Sequence, residues 1–113
     1  MSNKRRSGMT DKNLRLQFTM FNKKFFENRL GAWKVEFKKM KGMLGLCVYD
    51  NHTIYILDEL RKFPDVVCVT LLHEMAHASL PEYESYQHFD DHGPQFHVKI
   101  DHLYKMGAYD GLL

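Results

Sequence analysis

A chain of 113 residues, 44% hydrophobic and 13% aromatic, is long enough for one folded domain with its own core and too short for two. That composition excludes a disordered tail, and no apolar run approaches the roughly 18 residues needed to span a bilayer. The basic start Met1-Ser2-Asn3-Lys4-Arg5-Arg6-Ser7-Gly8 is not followed by the apolar region of a signal peptide, so an intracellular monomer is expected, cytoplasmic or associated with nucleoid or nucleus, with no membrane partner.

Residues 1–9 read as a flexible basic arm and residues 10–113 as a single domain. Thr10 suits an N-cap, and Leu14, Phe18, Phe21 and Phe25 recur at three- and four-residue steps. This predicts an amphipathic helix over 11–29, ended by Gly31. Trp33, Val35 and Phe37 alternate with Lys34, Glu36 and Lys38, the pattern of a half-buried strand. A turn at 39–42, a strand over 43–49, a turn at 50–52 and a strand over 53–57 complete an expected three-stranded antiparallel meander. A connector over 58–64 leads to a helix opened by Pro64 and Asp65 and closed by Leu80-Pro81. Residues 81–93 form a long polar loop, and unstructured loops of that length are uncommon unless functional. Pro94 starts a last helix, with Phe96, Ile100 and Leu103 on its inner face and Gly107 at its C-terminal end. The expected class is therefore α+β. Cys47 and Cys68 form no C-x-x-C pair and read as reduced packing residues.

The small net charge hides an asymmetry. Residues 1–41 carry twelve Lys/Arg against three Asp/Glu, and residues 42–113 carry four against eleven. A basic half suits a phosphate backbone, which attracts Lys and Arg whatever its sequence. The candidate nucleic-acid contacts are Lys4, Arg5, Arg6, Lys12, Arg15, Lys23, Lys24, Lys38, Lys39 and Lys41. The aromatics among them, Phe18, Phe21, Phe25, Phe26 and Trp33, are spaced as core residues instead.

The chemistry concentrates in His73-Glu74-Met75-Ala76-His77. Residues four apart on a helix share a face, so two imidazoles can converge on one metal ion at about 2.0–2.1 Å each. Glu74, rotated by roughly 100°, misses the metal but reaches a water beside it, the arrangement for metal-assisted hydrolysis with Glu74 as general base. The flanks Val66, Val67, Val69, Leu71, Leu72, Met75, Ala76 and Leu80 are apolar. Two His and a Glu inside such a segment are costly to bury without a partner, and a metal supplies one.

Catalytic zinc usually takes three protein ligands and leaves a position open. The candidates after His77 are Glu82, Glu84, His88, Asp90, Asp91, His92, His97 and His102. His92 is favoured because the Gly93-Pro94 turn fixes its backbone at the mouth of the last helix; His88 is the runner-up. Asp90 or Asp91 suits the role of holding a ligand imidazole's second nitrogen, while His52, His97 and His102 read as surface or structural histidines. Tyr83, Tyr86, Tyr104 and His97 are candidates for stabilising an oxyanion.

His73-Glu74-Met75-Ala76-His77-Ala78 followed by His92-Gly93-Pro94-Gln95-Phe96 resembles the SprT-like zinc metalloprotease family. The resemblance covers roughly residues 10–107, including the leading helix and the strand segments at 42–48 and 53–56. It implies a zincin-like fold, one catalytic Zn²⁺ on His73, His77 and His92, Glu74 as catalytic acid/base, and protein substrates that include DNA-associated and DNA-crosslinked proteins. The chain reads as a minimal version without the C-terminal zinc ribbon many members carry, so any DNA affinity is expected from the domain itself or from a partner. The rival expectation is a zinc-stabilised DNA- or protein-binding module without proteolytic activity.

Overall fold

Thr10 caps the first helix as expected: its side chain accepts a hydrogen bond from the Asn13 amide at 3.0 Å, satisfying one of the amides the first turn leaves unpaired. The computed structural model describes residues 8–81 and 92–112. Helix α1 spans Asp11–Phe25 and buries Leu14, Phe18, Phe21 and Asn22, while Lys23 and Lys24 in its last turn suit the negative end of the helix dipole. It stops four residues short of the expected end. Glu27 and Asn28 adopt left-handed backbone, with φ of 54° and 60°, and the buried Asn22 side chain accepts from the Leu30 amide at 3.0 Å. A side-chain acceptor for a backbone amide competes with helix continuation, so Asn22 and Asn28, not Gly31, end α1. Phe18, Phe21 and Phe26 are buried and Phe25 and Trp33 pack against the core, as their spacing predicted.

Three strands follow: β1, Lys34–Lys38; β2, Gly45–Val48; and β3, Thr53–Leu57. The sheet is mixed, which corrects the antiparallel meander. Its order is β1-β3-β2, with β1 parallel to β3 and β2 antiparallel to it. The last strand takes the centre because it is the most apolar. Ile54 and Ile56 are fully buried and need a neighbour on both sides. The lysine-bearing β1 is tolerated at an edge, and the glycine of β2 finds its reason at the site below. Val35, Ile54 and Cys47 are cross-strand partners on one face, as are Phe37, Ile56 and Gly45, and that face meets the helices.

A 3₁₀ turn at Asp58–Lys62 links β3 to α2, Pro64–Ala78. Arg61 in this turn bonds Asp58 and Asp11 and receives the Met9 amide on its carbonyl at 2.8 Å. Gly8 and Met9, the end of the expected arm, are thereby tied to the domain. Ten of the fifteen residues of α2 are buried, as befits a helix with neighbours on every side: it packs on β2, β3, the 3₁₀ turn and the last helix. That helix, α3, spans Pro94–Lys105 and buries Phe96 and Leu103, and Gly107 beyond it takes a left-handed φ of 86°. Cys47 and Cys68 are both buried. Among the described residues no helix is long and apolar enough to cross a membrane.

Candidate metal centre

His73 and His77 lie on successive turns of α2, and the turn into α3 brings His92 against them. One ring nitrogen from each of the three lies within 4.8 Å of the others. The Nε2 atoms of His73 and His92 are 3.1 Å apart. Nitrogens bound tetrahedrally to one ion at zinc–imidazole distances stand about 3.3 Å apart, so the arrangement fits a metal ion with little movement. Phe96, in the first turn of α3, stacks on the His77 ring with centroids 4.2 Å apart and 27° between planes, and sits 4.9 Å from the His73 ring. The same aromatic anchors α3 to α2 and fixes the orientation of two imidazoles.

Burial sets the protonation of His73, His77 and Glu74. It holds the His73 imidazole down at about 4 and that of His77 at about 3, with the neighbouring rings adding to the effect. Both are therefore neutral at pH 7, the form a metal requires. Glu74 is 7% exposed, and desolvation raises its carboxyl to about 7, where a group both takes and gives protons near neutrality.

These shifts predict how the protein stripped of metal responds to acid. The two imidazoles sit below their ordinary 6.5, so the unfolded chain binds more protons than the folded one. Their contribution to stability is full above 6.5 and is lost as pH falls towards 4 and 3. Glu74 works oppositely: its contribution is full below 4.5 and lost as pH rises through about 7. Two imidazoles outweigh one carboxyl between 6.5 and 4.5, so Tm measured in chelator is expected to fall through that window. A Tm that holds or rises on acidification contradicts a buried neutral pair.

The histidines and Glu74 line a cleft of about 520 Å³ whose other wall is residues 42–47, the approach to β2 and most of the strand itself. Gly45 is where the walls meet. A Cβ on it would lie 2.9 Å from Glu74 Oε2 and 2.8 Å from Thr70 Cγ2, so only glycine lets the strand approach the carboxylate this closely. An isolated glycine inside a strand pattern is a sign of such an approach, and it is the signal that could have singled out Gly45. Gly45→Ala is expected to keep fold and metal while pushing the Glu74 carboxyl aside. Any hydrolysis the centre performs should then slow by at least tenfold with metal content unchanged; an unaltered rate contradicts this placement.

The remaining candidates fall elsewhere. Glu82, Tyr83, Glu84, Tyr86, His88, Asp90 and Asp91 lie outside the described residues, as do Lys4, Arg5 and Arg6. His97 is exposed, with its ring 6.3 Å from that of His92. His102 is exposed, and His52 stacks on Trp33 with centroids 4.9 Å apart. Tyr104, 64% exposed, is ten residues along α3 from Pro94, or about 15 Å of helix, too far to serve the cleft. Lys12, Arg15, Lys23 and Lys24 stand exposed on α1, and Lys38, Lys39 and Lys41 are exposed at the end of β1 and beyond it. None of them lines the cleft, although Lys41 adjoins Gly42 at its rim. Unforeseen was Tyr49, whose hydroxyl bonds the carbonyl of His77.

A family model described as the SprT-like family matches residues 14–109. The chain is also similar to a curated protein of Danio rerio named DNA-dependent metalloprotease SPRTN, with 35% identity over 91 residues. That match covers 74% of this chain and 14% of the relative, so the chain spans about a seventh of the relative's length.

Proposed function

The chain belongs to the SprT-like family, and from that premise we propose that it is a zinc-dependent metalloendopeptidase acting on DNA-associated or DNA-crosslinked proteins. The observation that carries the reading is the convergence of three imidazoles beside a buried carboxyl in a cleft walled by β2. His73, His77 and His92 would hold one zinc ion. When bound, it supplies Lewis-acid chemistry, polarising the scissile carbonyl and acidifying water.

The chain's own residues do the rest. Glu74 takes a proton from the attacking water and delivers it to the leaving amine, a double role suited to a carboxyl whose burial sets it near 7. Among the described residues β2 has β3 on one side only, so a substrate in extended form can add along its outer edge, over Gly45 and towards the histidines. Of the residues considered for the oxyanion, His97 and Tyr104 are described, and neither lines the cleft. A structural zinc site is typically closed by four ligands; an open cleft and a buried proton-transfer group support the enzyme over the non-catalytic module.

The test is incubation of the zinc-loaded protein with an unfolded protein, free or crosslinked to DNA. Zinc-dependent cleavage that chelator abolishes is expected; no cleavage of either substrate under zinc loading contradicts the reading.

The exposed lysines and arginine of α1, those after β1, and Lys4, Arg5 and Arg6 support DNA as the partner that brings substrate near. Affinity for DNA is then expected to fall steeply with salt, with a log–log slope of about −0.9 per phosphate neutralised. Lys23→Ala with Lys24→Ala is expected to reduce that slope by about 1–2 units. A flat salt response, or no binding at low salt, contradicts the assignment.

A further inference from the structure

We propose that Tyr49 is a positioning residue for the histidine centre, fixing through its hydroxyl the end of α2 from which His77 projects. The proposal rests on the metal reading above and assigns a role to a side chain far from the motif in sequence.

Tyr49 directly follows β2. Its hydroxyl donates to the carbonyl of His77 and lies 3.3 Å from that of Leu80. The carbonyls of a last helical turn lack partners within the helix, and here the same His77 carbonyl also receives the Leu80 amide at 3.1 Å. It is thus the fixed point about which the chain leaves α2, pinned from the sheet by the phenol. The phenol is itself held: Trp33 meets its ring edge-on, with centroids 5.5 Å apart and planes at 85°, and Trp33 is braced in turn by His52. One hydroxyl therefore restrains the backbone of His77 where α2 ends.

Small movements matter here because ligand distances tolerate only about ±0.2 Å. Each helical residue advances the chain about 1.5 Å and turns it by about 100°, so fraying of the last turn would carry the His77 ring out of range. Phe96 fixes the plane of that ring; Tyr49 fixes the backbone from which it projects.

Tyr49→Phe keeps the ring and removes only the hydroxyl. Zinc affinity by chelator competition and Tm of the chelated and zinc-loaded forms should be measured in parallel. The variant is expected to bind zinc roughly tenfold more weakly, the low end of what losing a group that orients a metal ligand costs. The zinc-induced rise in Tm should shrink with it. A merely structural role would lower both Tm values equally and leave affinity unchanged, which would overturn the proposal. If Tyr49→Phe does not fold, Trp33→Phe, which loosens the phenol without touching its hydroxyl, is expected to weaken zinc binding severalfold; affinity within twofold of the parent would overturn it equally. A parent protein that takes up no zinc would overturn the metal reading itself, an outcome distinct from either variant's.

Discussion

Glu74→Gln is expected to retain zinc fully and to lose peptide hydrolysis by about 10²–10⁴-fold, the usual contribution of a positioned acid/base. The substitution is nearly isosteric, so the close packing of β2 against this side chain through Gly45 is preserved. The amide cannot accept the water proton. Stability should hold or rise, since a carboxyl that burial lifts to about 7 is costly to ionise in place and the amide carries no such cost. Metal content, Tm and kcat on one preparation separate these effects. Retained proteolysis with metal bound would remove Glu74 from the reaction.

His77→Ala should have the second large effect, acting on metal and core together. His77 is 3% exposed and its ring lies flat against Phe96, so alanine deletes one of the three donors and opens a void beneath the aromatic that anchors α3. Two contributions to the loss of stability can be separated. Chelation of the parent removes only the metal's share, which is about 2.7 kcal/mol when free zinc exceeds Kd a hundredfold. The alanine variant should unfold at a still lower temperature than the chelated parent, because the cavity adds a cost of about 2–4 kcal/mol if the site does not collapse. Equal Tm values for variant and chelated parent would mean that the ring contributes nothing to packing.

What the sequence makes legible here is local. The Thr10 cap, the 3.6-residue spacing of α1, Pro64 at the start of α2 and Pro94 at the start of α3 each act within a few residues, and each appears in the fold. The meeting of His73, His77 and His92 is legible for a related reason: two positions are fixed by helical period and the third by a rigid turn. The order of the strands is not local. Nothing in Lys34–Lys38 says that its partner is the third strand and not the second; that follows from burying Ile54 and Ile56 on both sides. The end of α1 depends on Asn22 reaching Leu30 eight residues away, and the restraint by Tyr49 spans 28 residues. Such contacts exist only once the chain has folded, and no spacing pattern announces them.

The proposed function requires one metal ion held by His73, His77 and His92 together. Its most direct test is the metal content of the purified protein beside that of His92→Ala, measured by mass spectrometry of the elements after equilibration with zinc and removal of the excess. One zinc per chain in the parent and a loss of most of it in the variant is the expected result. An unchanged zinc content in His92→Ala, or none in the parent, would contradict the three-histidine centre.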